Sequence, residues 1–358
     1  TLPLKCIKST QNTMAEWFVE EDSSDEDDLP FLWLNAAYKG DIETLRTLHR
    51  GKHVDINSSF EDGSTALIFV ARNGNVPCVR FLLDAHANIN ARDSSGASAL
   101  VFAADQGNLE CLKLLIEARG DMEAKNNTGA TALMIASAKG QHECVRLLLA
   151  AKANIEAESN RGHTALMLAA RSSHDECAKL LIDAQANVNA GAHTCGTALS
   201  IAALNGNDIG VKLLVEAKAD ANAPDQDDIF PLIEAIKYPE SAECLRMLIE
   251  AKADVHVKDD QGAPAIVLSA DKESAEFLLL LLAANANVDA VDKDGKTALM
   301  QAAERGERAA VQVLLDAKAS LDTVDVSHKT ALHYAAEKGH IAISQILLDA
   351  KAADGQKK

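Results

Sequence analysis

The stretch "RSSHDECAKL", Arg171 to Leu180, sets two serines, a histidine, an aspartate, a glutamate and a cysteine close together. A nucleophile beside a base and a carboxylate has the ingredients of acyl transfer, provided a rigid pocket also holds oxyanion donors. The flanking sequence argues against that chemistry. "NGNVPC" ends at Cys78, "QGNLEC" at Cys111, "KGQHEC" at Cys144 and "SSHDEC" at Cys177, each 33 residues after the last. A group that recurs at a fixed period is a structural slot. Ser172 to Asp175 therefore read as a solvated turn, equivalent to Asn73 to Val76, in which His174 takes a capping role.

Cys78, Cys111, Cys144, Cys177 and Cys244 share one helical position in five units, which a stacked array would set side by side. Tetrahedral zinc needs its sulfurs about 2.3 Å from one ion, whereas packed helices lie about 8–10 Å apart. Bridged cysteines need Cα atoms within about 7 Å. These thiols are expected as small buried apolar side chains. "DKDG", Asp292 to Gly295, imitates part of a calcium loop, but the positions that should carry further ligands are Ala290 and Gln301. No phosphate-cradling loop, triad or metal set is found, so no catalytic, cofactor or metal site is assigned and no enzymatic activity is expected.

The elements that position these residues follow from the repeat. Turn glycines stand at Gly63, Gly96, Gly129 and Gly162, and Cys195 and Asp228 continue the spacing. After one extra residue near "KYPESAEC" the register resumes at Gly262, Gly295 and His328. With an irregular first copy near Leu29 this makes about ten units, starting near 29, 63, 96, 129, 162, 195, 228, 262, 295 and 328. Within a unit the pattern is G-x-T-A-L-x-x-A-A-x-x-G, as in "GHTALMLAARSS" and "GKTALMQAAERG". Thr65, Thr131, Thr164, Thr197, Thr297 and Thr330 are placed to cap the first helix. The paired alanines admit the next unit closely, and Gly74, Gly107, Gly140, Gly206, Gly306 and Gly339 end that helix. Asn75, Asn108, His174, Asn207 and His340 then open the second helix.

These motifs resemble the ankyrin repeat, a turn or hairpin followed by two antiparallel helices over about 33 residues. The resemblance covers about Leu29 to Ala352. It implies an all-α, right-handed α-solenoid of stacked helix-turn-helix repeats with short hairpin fingers, whose inner helices form a concave groove that binds another protein. From the family's groove positions it carries over Arg72, Asn73, Asp105, Gln106, Lys139, His163, Arg171, Leu204, Asn205, Ile229, Lys237, Tyr238, Asp271, Glu304 and Arg305 as contact positions. Two departures stand out. His86, Arg119, Lys152, Gln185, Lys218, Lys252, Asn285, Lys318 and Lys351 occupy the place after helix two where the family has glycine. There, backbone strain costs up to about 1 kcal/mol, of which a basic side chain recovers about 0.3–1 through the helix dipole. The family's histidine at the third helical position survives only as His333.

Net charge is -18, which disfavours nucleic acid and anionic membranes and favours a basic partner. The longest apolar run, Phe277 to Ala284, is far short of the roughly 20 residues of a membrane span. Seven cysteines, an odd number in repeated helical positions, suggest a reducing compartment, the cytoplasm or the nucleus. The expected organisation is an acidic disordered arm over 1–28, a repeat domain over 29–352 and a tail over 353–358, acting as a monomeric scaffold or adaptor. In the arm, Ser23 and Ser24 precede Glu26 and Asp27 by three residues, which resembles acidic-directed phosphorylation sites. Where Cys195 and Asp228 replace turn glycines, two readings stay open: a softer joint, or an apolar anchor of Leu204, Ile229 and Tyr238. A reading of another class is a regulatory or substrate-recruiting module of a larger enzyme or channel. It is suggested by Thr1 as first residue with Met14 as a possible start, and by a last helix without a polar cap.

Overall fold

The computed structural model describes residues 29–51, 54–192, 196–225, 229–237, 242–270 and 275–355. The arm with Ser23 and Ser24, and Cys195, Asp228, Tyr238 and Asp271, lie outside them. Among the described residues, twenty helices alternate between two rows. The inner row is α1 (Leu29–Lys39), α3 (Ala66–Arg72), α5 (Ala99–Gln106), α7 (Ala132–Ala138), α9 (Ala165–Arg171), α11 (Ala198–Leu204), α13 (Pro231–Lys237), α15 (Ala265–Ser269), α17 (Ala298–Arg305) and α19 (Ala331–Glu337). The outer row is α2 (Ile42–Arg50), α4 (Val76–Asp84), α6 (Leu109–Glu117), α8 (His142–Ala150), α10 (Asp175–Asp183), α12 (Asp208–Glu216), α14 (Glu243–Glu250), α16 (Glu276–Ala283), α18 (Arg308–Asp316) and α20 (Ile341–Gly355). Each helix packs on its partner in the pair and on the equivalent helix of the next pair, the nearest-neighbour architecture of a solenoid.

Local chemistry sets the boundaries. The hydroxyls of Thr65, Thr131, Thr164, Thr197 and Thr297 accept from the third amide of their helices at 3.3–3.5 Å. At the last pair the bond runs the other way: His333 Nδ1 accepts the Thr330 N–H at 3.0 Å, the half of a capping box made by the third helical residue. Behind the caps of the internal units the Leu and the small pair are buried, as with Leu166, Ala169 and Ala170, whereas in the last unit Leu332 is half-buried and Ala336 exposed. The outer helices bury a three-residue face such as Cys144, Val145 and Leu148. Gly210, Phe277 and Ala310 take the cysteine's position in other units, so the slot selects an apolar filler. Burial pushes the thiols of Cys111, Cys144 and Cys177 up to about 11, away from the thiolate that reactivity or metal binding needs.

Between pairs lie short fingers. One is a two-residue antiparallel ladder, β1 (Gly191–Ala192) with β2 (Gly196–Thr197); four others close through single bridges, such as Arg92 with Ser98 and Val291 with Thr297. Asp292 of the calcium-like "DKDG" spends its carboxylate here, accepting the amides of Asp294 at 2.9 Å and Lys296 at 2.8 Å. Asp93, Asn126, Asp259 and Asp325 make the same turn.

Three expectations need correction. His174 occupies the N-cap of α10, but its side chain makes no capping bond; its ring sits against Gly140, where an added methyl would meet it at 2.8 Å. Asn108 likewise does not cap α6 and instead donates to the carbonyls of Ala71 and Arg72, at 2.9 and 2.8 Å, tying its unit to the one before. Eight of the nine residues at the missing-glycine position adopt φ of 62–68°. The ninth, Lys351, lies inside α20 and carries no such strain.

A ladder of hydrogen bonds joins successive units at the finger bases. The side chains of Asn57, Asn90, Glu123, Glu156, Asn189, Asn222 and Asp289 each accept a backbone N–H of the following unit at 2.7–3.0 Å. Between Asn222 and Asp289 the equivalent position is His256, and no bond joins it to the Asn287 amide. A second, backbone ladder, Ser94 to Asp62, Asn127 to Ser95, Asn160 to Thr128 and Val326 to Asp294, spans 2.6–3.0 Å. It too is interrupted between Lys293 and Gln261. A cleft of about 350 Å³ lies at this break, lined by Val255, His256, Lys258, Pro264, Ile266, Asn287, Asp289 and Ala290. The structure thus puts an open joint between the units beginning at 262 and 295. His256→Asn supplies the missing acceptor. It is expected to slow hydrogen exchange at the Asn287 amide and to add about 0.5–1.5 kcal/mol of stability, the value of one net hydrogen bond. An unchanged exchange rate at Asn287 would show that the joint stays open for another reason.

Candidate protein-interaction surface

The inner helices present two kinds of position away from the outer row. One is the second variable residue of T-A-L-x-x-A-A: Phe69, Phe102, Ile135, Leu168, Ile201, Glu234, Leu268, Gln301 and Tyr334. It faces the fingers, since Phe69 meets Phe60 edge-on at 5.5 Å and the Tyr334 hydroxyl donates to Asp325. Phe102, Ile135, Leu168 and Leu268 are half-buried, so they form an interrupted apolar stripe. Sequence reading missed this row because the motif treats the position as free. The signal was present, since it is apolar in six of those nine units.

The other kind is the C-terminal end of each inner helix, where most of the carried-over residues fall. Arg72, Asn73, Gln106, Lys139, Arg171, Asn205 and Arg305 are exposed, and Asp105, Leu204, Ile229, Lys237 and Glu304 are half-buried. Their interactions link one unit to the next. The Arg72 guanidinium lies 5.2 Å from the centre of the Phe102 ring, a cation–π arrangement, and Lys139 reaches Asp105 at 3.8 Å. Asn73 donates to the Tyr38 carbonyl at 2.8 Å and Asn205 to that of Arg171 at 2.9 Å, so both side-chain amides are already engaged within the array. Glu304 takes Lys296 at 2.8 Å and Lys338 at 3.6 Å, which holds its carboxyl below the usual carboxylate range, chiefly through the Lys296 hydrogen bond. His163 differs from the rest. It is 5% exposed, and burial, aided by the Arg171 and Arg161 charges, lowers its pKa. Its side chain offers little area to a partner.

The cations Arg72, Lys139 and Arg171 lie toward one end of the inner row and the Glu234 carboxyl further along it, with Asp260 on the adjoining finger and the apolar stripe between and beside them. This is a long surface of mixed polarity over an invariant core. Its variable side chains stand on a repeated core. Among the described residues no helix is long and apolar enough to cross a membrane.

Two helices per unit, a finger between units and a 33-residue period define a helical repeat protein of the finger-bearing class. The family described as ankyrin repeats (3 copies) matches residues 33–126, 106–192, 189–259 and 266–358, and the chain belongs to that family. The crystal structure of the human ASB11 ankyrin repeat domain is similar, with 26% identity and a TM-score of 0.55 over 61% of this chain and 96% of that one. Cortactin-binding protein 2 from Echinops telfairi, Ovis aries and Mus musculus is 45% identical over 56 residues, 16% of this chain. The match spans 3% of the length of those relatives.

Proposed function

We propose that this chain is a non-enzymatic scaffold or adaptor that binds a partner protein along the inner row, as a single-chain solenoid in a reducing compartment such as the cytoplasm or nucleus. Ankyrin repeats are generally protein-interaction modules, and one observation carries the reading over to this surface. The capping and core positions are nearly constant from unit to unit, while the residue at the C-terminal end of the inner helix, exposed or half-buried, changes from Arg72 to Asp105, Ala138, Arg171, Leu204 and Lys237. A surface of that kind is free to specify a partner without disturbing the fold. The unpaired buried thiols of Cys78, Cys111, Cys144, Cys177 and Cys244 suit a reducing environment. The charge of -18 favours a partner with a basic face.

The test compares two surfaces of one protein. Partners are captured by the full chain, by an inner-row variant (Arg72→Ala, Lys139→Ala, Arg171→Ala, Leu204→Ala) and by an outer-row variant (Arg80→Ala, Lys113→Ala, Arg146→Ala). Capture is expected to fall about tenfold or more with the inner-row set, since buried or central contacts carry most binding energy, and to persist with the outer-row set. The reverse pattern would place the interface on the outer row and end the proposal.

A further inference from the structure

Glu234 breaks the apolar stripe. In the same position the preceding unit has Ile201 and the following one Leu268, yet Glu234 is nearly as covered as Ile201, at 8% against 4% exposed. The other polar residues of this row are engaged, Tyr334 with Asp325 and Gln301 with a partner of its own. Glu234 makes no hydrogen bond or ion pair with any described residue. The nearest cation on its own helix, Lys237, is held by Asp260 at 3.3 Å. Two further carboxylates face the same place from the fingers, Asp225 and Asp260, and the Asp225 carboxyl accepts the Ile229 amide at 2.9 Å. The residue is nine-tenths covered, while its carboxyl oxygens keep contact with solvent and have no hydrogen-bond partner among the described residues; an apolar side chain in this slot would remove the cost of partly desolvating that carboxyl. Desolvation pushes its pKa up, and the two finger carboxylates add to the rise against the Lys237 charge. A cation brought into contact would offset that cost and restore ordinary ionisation.

We propose that Glu234 receives a lysine or arginine side chain of the partner, seated on the inner row between Ile201 and Leu268. The inference rests on the inner row being the binding surface. It adds the chemistry of the occupant, a basic residue with apolar neighbours that lie on the flanking slots. The negative field of Asp225 and Asp260 draws the cation in, and Ile201 and Leu268 exclude water around the pair, which strengthens it.

A phage-displayed random peptide library is panned in parallel on the full chain, on Glu234→Leu and on Glu234→Gln, and thermal melting of each protein is recorded. Peptides enriched on the native chain are expected to share a Lys or Arg at one position with apolar residues beside it. Their affinity should drop more than about tenfold on both variants, as when one member of a covered charge pair is lost. Glu234→Leu should melt at the same temperature as the native chain or higher. Enriched peptides without a basic position, or with equal affinity for Glu234→Leu, overturn the inference. So does a lower melting temperature of Glu234→Leu with binding intact, which marks a carboxyl that serves the fold. Peptides displaced by the inner-row substitutions above but indifferent to Glu234 overturn this inference alone, whereas peptides indifferent to all inner-row changes overturn the proposed function with it.

Discussion

Replacing all eight left-handed residues after the outer helices by glycine raises the stability of the array by about 3 kcal/mol, unevenly distributed among the sites. His86, Arg119, Lys152, Gln185, Lys218, Lys252, Asn285 and Lys318 have φ between 62 and 68°. In that region Cβ crowds the following carbonyl, which costs an ordinary residue about 1–2 kcal/mol, more than the expectation of up to about 1 kcal/mol drawn from the residue types alone. Glycine relieves it, but gives back about 0.4–1 kcal/mol through the larger freedom of its unfolded chain. The five Lys and Arg residues also lose a helix-dipole interaction of about 0.3–1 kcal/mol, so their net gain is small. Gln185→Gly should therefore gain most and Asn285→Gly little, since asparagine tolerates this conformation. The sites recur once per unit and share no partners, so the increments should add. Lys351→Gly reverses the sign: Lys351 is helical, and glycine inside a helix costs about 0.5–1 kcal/mol. Urea midpoints at constant m-value measure all of this. Equal gains at Gln185 and Asn285, or a gain at Lys351, would show that backbone strain is not the term that decides.

The pattern legible in the sequence is the portion that depends on residues near one another in the chain. A threonine three residues before the amide it caps, a glycine ending a helix and an apolar triplet on an outer helix are local facts, and repetition at 33 residues turns them into an architecture. Features that depend on register between units were not legible. His256 looks like any polar turn residue until the acceptors at Asn222 and Asp289 are seen to bond amides about 31 residues on. Asn73 and Asn205 look like free groove side chains until their amides are found on carbonyls of the preceding unit. His163 held a clue that was passed over. Its slot is filled by Ser64, Ala97 and Ala130 in other units, all buried, and small residues at a repeated position signal confinement. The significance of Glu234 required knowing that its row faces the fingers, which no period in the sequence reveals.

Gly129→Ala should destabilise the protein by about 2–4 kcal/mol, and Gly262→Ala by about 1–2, although the two substitutions are chemically identical. Their backbones match, with φ of 79° and 80°, so the strain of placing Cβ in the left-handed region is common to both. The surroundings differ. A methyl on Gly129 would come 2.5 Å from the Asn160 backbone nitrogen, the atom that donates to Thr128 in the backbone ladder, and it could fit only by pushing neighbouring fingers apart. A methyl on Gly262 meets nothing within 4 Å, because the ladder is already broken there and the next finger stands away across the cleft. The difference between the two variants thus measures the cost of prising fingers apart at a closed junction, about 1–3 kcal/mol if it resembles other overpacked sites. The comparison also tests the joint itself. If His256→Asn draws the fingers of these units together, Gly262→Ala becomes costlier in that background than in the native chain, a coupling that a double-mutant cycle reads directly. Equal losses for Gly129→Ala and Gly262→Ala in the native chain would mean that the fingers meet at both junctions in solution. The units on either side of His256 would then move as one body, and a partner spanning the inner row would meet a continuous rigid surface rather than two blocks able to shift against each other.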